Sequence, residues 1–247
     1  MYSTRWYKRV LRNFGIELKR FEFGLDAWAD LDELFRQHPA KTVFDVGANC
    51  GQTSLQLATT LPGAKIVAFE PNPNLFPELQ SNLAHLPLVT TAQMALGNEQ
   101  TRITLNITGS PLNTSLLNYT RQDGTDRVVQ KADVAMDTVD HYCTEHGIES
   151  IDLLKTDVQG YDLNVFKGAE GLLEKGRIHA VFCEVIFHKI YDGQCSFEEI
   201  YACLAKNGFR LCGLYDAVRE DSFHIHWVDA LFIRPDYFGK RFSRKSL

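Results

Sequence analysis

Short apolar runs alternate with amphipathic segments along most of this chain. Runs at 42–46, 65–69 and 151–156 predict buried strands, and the segments after them carry apolar residues at helical spacing. Continuous apolar strands that alternate with helices are typical of a mostly parallel sheet covered on both faces. The runs at 209–215 and 227–233 have only a turn-rich segment between them and predict an antiparallel edge hairpin. We therefore predict one doubly wound α/β domain.

The remaining segments complete this prediction. We expect further strands at 88–95, 102–107 and 179–187, and a helix at 197–205. Residues 108–126 predict a long loop, and loops of that length inside a compact domain are often functional.

The two ends of the chain differ from its middle. Residues 4–20 place aromatic and aliphatic side chains at helical spacing with basic residues between them, and 28–36 predict a second short helix. Two interpretations of the first segment stay open: a basic helix on an anionic membrane surface, or a helix packed on the domain, which we favour. We predict a helical N-terminal extension over 1–40, the main domain over 41–235 and a basic tail over 236–247.

Composition narrows the class of protein. The chain has 247 residues, of which 45% are hydrophobic and 23% charged, as in ordinary globular domains. The net charge is +5 over residues 1–20 and +4 over 240–247, which leaves about −14 on the rest and argues against a broad nucleic-acid surface. The six cysteines form no metal-binding spacing and the amino end has no apolar signal segment, so we expect a cytoplasmic protein.

Acidic residues and glycines follow the first two predicted strands. Residues 45–51 read D-x-G-x-N-x-G, and Glu70 ends the second strand. One acid can meet an ammonium group, the other can accept two ribose hydroxyls, and glycines let the backbone approach a ligand. A dinucleotide site needs G-x-G-x-x-G, but the corresponding positions hold Gly47, Asn49 and Gln52. The pattern therefore favours S-adenosylmethionine over a dinucleotide.

Each of these residues also has a structural interpretation. Asp45 and Glu70 can cap the helices that follow them, and Asn49 can simply accommodate an unusual backbone angle. Gln93 and Met94 either contact the adenine or belong to ordinary strand packing. The predicted donor-binding residues are Asp45, Gly47, Asn49, Gly51, Glu70, Asn72, Gln93 and Met94.

Residues from about 42 to 234 resemble the FkbM family of S-adenosylmethionine-dependent methyltransferases. The resemblance is carried by the blocks 44–51, 69–72, 151–160 with 167–169, and 229–232. The family often has Glu where this chain has Gln159, so an acidic role at that position is unsupported. The resemblance implies a seven-stranded, class I methyltransferase-like sheet of the Rossmann type. It also implies S-adenosylmethionine as donor and a hydroxyl of a sugar, glycan or other secondary metabolite as acceptor.

Methylation of a hydroxyl requires a base or a metal, because an alcohol is a weak acid. Asp157, Glu184 and His188 fall at or just beyond the carboxyl ends of predicted strands, where open parallel sheets bind their ligands. Asp157 is our first choice for the base or for a metal ligand, although it can instead orient the loop through Gly160. A divalent metal stays an open alternative, and no ligand set for it is predicted.

Two other functions stay open at this point. One is a methyltransferase of nucleic acid or protein on the same fold, and the acidic middle of the chain disfavours it. The other is a catalytically silent binding module, which the retention of Asp45 and Glu70 disfavours. We expect a small-molecule or glycan acceptor and no nucleic acid. The oligomeric state is not predicted.

Overall fold

The computed structural model describes residues 23–109, 114–120, 127–219 and 221–239. The basic segment 4–20, the tail beyond residue 239 and much of the predicted loop 108–126 lie outside the described residues. In the part of the chain that is described, no helix is both long enough and apolar enough to cross a lipid bilayer.

Twelve strands and eight helices are described. The strands are β1 (Thr42–Val46), β2 (Lys65–Phe69), β3 (Val89–Ala92), β4 (Ala95–Leu96), β5 (Thr101–Thr108), β6 (Asn118–Tyr119), β7 (Val128–Asp137), β8 (Ile151–Thr156), β9 (Ile178–Ile186), β10 (Tyr191–Asp192), β11 (Arg210–Arg219) and β12 (Ile225–Ile233). The helices are α1 (Ala27–Phe35), α2 (Gln52–Thr60), α3 (Phe76–Leu83), α4 (Val139–Glu145), α5 (Asp162–Lys167), α6 (Glu170–Glu174), α7 (Phe197–Lys206) and α8 (Pro235–Phe238).

The central sheet has seven strands in the order β11-β12-β9-β8-β1-β2-β3. Strands β9, β8, β1, β2 and β3 run parallel, and β12 and β11 add antiparallel pairings at one edge. Phe44 and Leu154 belong to one apolar cluster, whereas the adjacent Val43 and Leu153 belong to another. Because successive side chains of a strand point to opposite faces, both faces of the sheet are buried. The predicted doubly wound, mostly parallel α/β fold and its edge hairpin are confirmed.

The predicted strand at 88–95 is wrong in its second half. Strand β3 ends at Ala92, and the Met94 N–H donates to the Ala92 carbonyl oxygen (3.1 Å) in a turn. After this turn Ala95 pairs with Met136 in a second sheet, whose order is β4-β7-β5. Strand β7 and helix α4 were not predicted. Most of β7 is exposed or half-buried, so its apolar positions show no regular pattern.

Asp152 of β8 connects the start of β1 and the start of β9 to helix α8. Oδ2 accepts the backbone N–H groups of Lys41 (2.7 Å) and Thr42 (3.0 Å), and Oδ1 contacts Nδ1 of His179 (3.1 Å) and accepts the Tyr237 hydroxyl (3.0 Å). Burial alone would raise the pKa of this carboxyl. The hydrogen bonds outweigh burial and lower the pKa to about 2.

Asp152→Asn is expected to lower the free energy of unfolding by about 1–3 kcal/mol, because an amide has one acceptor oxygen where the carboxylate has two. The lowered folded pKa means that the carboxylate stabilises fully above its unfolded pKa and loses this effect as the pH falls toward about 2. Denaturant unfolding at neutral and acid pH measures both effects. The control is Asp32→Asn, which removes an exposed pair with Arg36. Equal losses in the two variants would contradict the prediction.

Candidate active site

A cleft of about 630 Å³ opens at the carboxyl ends of β1, β2, β8 and β9. Strands β2 and β3 extend the sheet on one side of β1, whereas β8 and β9 extend it on the other. The strand order therefore reverses between β1 and β8, and open α/β sheets bind their ligands at such a point. The backbone N–H of Asp157 donates to the Val46 carbonyl oxygen (3.0 Å), which joins the two strand ends.

The turn after β1 passes too close to β8 for a side chain. Gly47 has a φ of +80°, and a Cβ atom at this position would collide with the carbonyl oxygen of Asp157. The N–H groups of Gly47 and Ala48 both donate to the Phe69 carbonyl oxygen (3.0 and 2.9 Å). The turn is therefore held between β2 and β8. Gly51, at a φ of +93°, then precedes the first residue of α2.

Glu70 follows β2 and lines the cleft, although only 6% of its surface is exposed. Its Oε2 accepts the Asn49 N–H (2.9 Å) and its Oε1 accepts the Asn72 N–H (2.8 Å). Burial raises the pKa of Glu70, and these N–H donors together with Lys155 oppose the rise only in part. Each carboxylate oxygen can accept a further hydrogen bond from a ligand hydroxyl.

The two predicted asparagines occupy different places. Asn49 lines the cleft in the left-handed region, at a φ of +51°, and its Oδ1 accepts the Cys50 N–H (2.8 Å). Asn72 is buried, and its Oδ1 accepts the Asn74 N–H (3.0 Å). Asn72 is not among the described residues that line the cleft. Its observed contacts hold the turn before α3.

Only one of the two residues predicted to contact the adenine is among the described residues that line the cleft. Met94 lines the cleft beside Phe69, Leu75 and Leu96, whereas Gln93 is exposed and is not among the described lining residues. A role for Met94 at the base stays a prediction.

Asp45 is fully buried, and both of its oxygens have partners within the protein. Oδ1 forms an ion pair with Nζ of Lys155 (2.9 Å), and Oδ2 accepts the Ser54 hydroxyl (2.5 Å). Burial alone would lower the pKa of Lys155, but the charges of Asp45 and Asp157 outweigh it and raise the pKa. Asp45 is not among the described lining residues, and its contact with the donor ammonium group stays a prediction.

Asp157 and Glu184 line the same cleft, and a glutamine joins them. Nε2 of Gln159 donates to Oδ1 of Asp157 (3.1 Å) and to Oε2 of Glu184 (3.1 Å). Burial, followed by the charges of Asp157 and Asp162, raises the pKa of Glu184 well above its usual range. The Asp157 side chain is 41% exposed and is accessible to a ligand.

His188 is exposed and is not among the described residues that line the cleft. Its ring meets the ring of His226 edge to face, with 5.7 Å between the ring centroids. His226 does line the cleft. A role for His188 as the base stays a prediction. Across the described ranges, no group of three or more His, Cys, Asp or Glu side chains is placed to hold a metal ion.

Sequence reasoning missed the aromatic side of the cleft. Strands β6 and β10 pair antiparallel, and the rings of Tyr119 and Tyr191 meet edge to face with 5.0 Å between their centroids. We call this strand pair the flap. Tyr119, Ile190 and Trp227 line the cleft on this side. The length of the predicted loop 108–126 was the available signal for Tyr119.

Comparison with known proteins identifies the family. The methyltransferase FkbM domain matches residues 45–211. The chain belongs to this family. It is therefore an S-adenosylmethionine-dependent methyltransferase.

Relatives from two bacteria and a fungus align with half of the chain or more at 26–30% identity. The 2-O-methyltransferase NoeI of Sinorhizobium fredii is 26% identical over 206 residues, which cover 77% of this chain and 81% of NoeI. The 31-O-demethyl-FK506 methyltransferase FkbM of Streptomyces tacrolimicus is 30% identical over 217 residues, which cover 78% of this chain and 81% of that protein. The methyltransferase sdnD of Sordaria araneosa is 30% identical over 155 residues, or 52% of this chain and 60% of sdnD.

The cleft fits S-adenosylmethionine, the donor that membership of this family indicates. Its volume lies within the range of small-molecule sites. The Glu70 carboxylate offers acceptors for a diol, and Phe69, Leu75 and Met94 provide an apolar lining for a base. Gly47, Ala48 and Asn49 of the turn after β1 also line the cleft.

Proposed function

We propose that this methyltransferase transfers a methyl group to a hydroxyl oxygen of a small molecule or glycan. The observation that carries the proposal is the pair of carboxylates, Asp157 and Glu184, in the same cleft as Glu70. A hydroxyl is a poor nucleophile until it loses its proton, and a carboxylate at the site can accept that proton. The names of two relatives, NoeI and FkbM, state O-methylation and support the proposal.

The donor is held on the β1–β2 side of the cleft in this proposal. Glu70 accepts the ribose hydroxyls, the backbone at Gly47 and Asn49 contacts the amino-acid portion, and Met94 packs on the base. When bound, S-adenosylmethionine supplies a methyl carbon that is activated by a positively charged sulfur. Lys155, which is paired with Asp45, holds the turn after β1 in place, since its Nζ also donates to the Gly47 carbonyl oxygen (3.2 Å).

The two carboxyl groups have different roles. Asp157 is the more exposed, and it would accept the hydroxyl proton as the acceptor oxygen bonds to the methyl carbon and the carbon–sulfur bond of the donor breaks, with its electron pair left on sulfur. Burial raises the pKa of Glu184, which favours its neutral form, and a neutral carboxyl can donate a hydrogen bond to the acceptor. Ile186, Tyr119 and Trp227 line the adjoining part of the cleft and hold the carbon skeleton of the acceptor by apolar contact.

A transfer assay tests this function. Purified protein with methyl-¹³C S-adenosylmethionine is offered neutral glycans and hydroxylated small molecules, with amine and thiol analogues of the same skeletons as matched controls. We expect a methyl signal on oxygen and equimolar release of S-adenosylhomocysteine. Methylation of the amine or thiol analogues but of no hydroxyl would contradict the proposal, as would transfer to nucleic acid or protein alone.

A further inference from the structure

Gln159 lies where the carboxylate pair meets the flap. Its backbone has a φ of +54°, in the left-handed region, and its carbonyl oxygen accepts the Ser115 hydroxyl (3.1 Å). While Nε2 donates to both Asp157 and Glu184, Oε1 accepts the hydroxyl of Tyr191 (2.8 Å), which belongs to β10. One amide group therefore contacts two acids from different strands and one tyrosine of the flap.

The chemistry of the amide fixes its orientation. An amide has two donor hydrogens at one end and an acceptor oxygen at the other. If it were flipped, Oε1 would face an oxygen of the Asp157 carboxylate and repel it, and Nε2 would no longer donate to either acid. In the observed orientation each N–H meets an acid, and the oxygen meets a group that can donate.

The charged side chains near Asp157 and Glu184 do not provide the hydrogen bonds that the Gln159 N–H groups provide. Lys155 is a nearby cation, but its Nζ lies 3.9 Å from Oδ2 of Asp157 and is already paired with Asp45 at 2.9 Å. Asp229 on β12 pairs in register with Glu184, and Asp162 begins α5, so the pair lies next to two further acids and gains no cation from them. The hydrogen bonds that join the two acids are those of the Gln159 amide.

We infer that Gln159 is a positioning residue, which holds Asp157 and Glu184 together and connects them to the flap through Tyr191. Its importance for turnover rests on the proposed function, whereas the hydrogen-bonded bridge itself does not.

Side-chain amide resonances of the ¹⁵N-labelled full chain test the bridge without an acceptor. Hydrogen bonds to carboxylates shift amide protons downfield, so both Gln159 protons should resonate downfield. Asp157→Asn should move one of them upfield and Glu184→Gln the other. Asn207 is the internal control, since its Nδ2 donates to the Cys203 carbonyl oxygen at the end of α7 and should not respond. If neither Gln159 proton moves in either variant, the inference is wrong.

Turnover measurements test whether the Gln159 bridge positions Asp157 and Glu184 for the reaction. Gln159→Met keeps the length of the side chain and removes both donors. We expect turnover to fall at least about tenfold, as for misplaced catalytic groups, with S-adenosylmethionine affinity unchanged. Gln130→Met, on the exposed β7, is the matched control. Unchanged turnover in Gln159→Met would overturn the positioning role. A wild type that methylates no hydroxyl would count against the proposed function alone, because the resonance experiment stands without it.

Discussion

Asp157→Asn is expected to lower turnover by about a hundredfold or more, the usual effect of losing a general base. S-adenosylmethionine affinity should stay within a few fold. The amide has nearly the same shape, and its oxygen can still accept the hydrogen bond from Gln159, so the local structure should persist. The amide of this variant, however, cannot accept the proton of the acceptor hydroxyl. Initial rates of S-adenosylhomocysteine release, together with calorimetric titration of the donor, separate the two effects.

The matched control for this variant is Asp133→Asn. Asp133 is an exposed acid on β7 that pairs with Arg102, outside the cleft. It should keep wild-type turnover, which excludes a general effect of removing one negative charge. Full activity in Asp157→Asn would move the role of base to Glu184 or His188. A large loss of donor affinity would instead mean that Asp157 holds the donor.

The parts of the fold that could be predicted are those with both faces buried. Strands β1, β2 and β8 are buried along nearly their full length, because they lie between the two apolar layers of the core, and most of their residues are therefore apolar or internally paired. The edge hairpin of β11 and β12 followed from the short connection between two apolar runs. Strand β7 was missed because most of its residues are exposed or half-buried, and the two-residue strands of the flap are too short for any periodic pattern.

The candidate site also has parts that could be predicted and parts that could not. Residues placed by a strand end could be predicted, and Glu70 and Asp157 both line the cleft. Contacts between side chains of different elements depend on register and orientation, which the sequence does not contain. Asp45 is an example, since its ion pair with Lys155, 110 residues later, could not be read from the sequence, and its predicted contact with the donor stays a prediction. The role of Gln159 was missed for the same reason, since its partners come from β9, β10 and its own loop.

Glu70→Ala is expected to weaken S-adenosylmethionine binding by about 1–3 kcal/mol, or about 5- to 150-fold. The variant loses the proposed acceptor of the ribose hydroxyls. It also releases the Asn49 and Asn72 N–H groups, which hold the turn after β1 against the end of β2. The fold should survive, because Glu70 follows its strand and is not part of an apolar cluster. Calorimetric titration with S-adenosylmethionine and S-adenosylhomocysteine measures the loss, and NAD serves as a ligand that should not bind.

The pH dependence of binding provides a second test of Glu70. Burial raises the pKa of this carboxyl, so its ionised form is lost at a higher pH than that of an exposed glutamate. Protonation removes an acceptor, and donor affinity in the wild type should therefore fall as the pH is lowered through this raised pKa. The decline should be absent from Glu70→Ala and present in Glu99→Ala, an exposed control. If Glu70→Ala binds the donor as tightly as the wild type while folded, ribose binding by Glu70 is excluded.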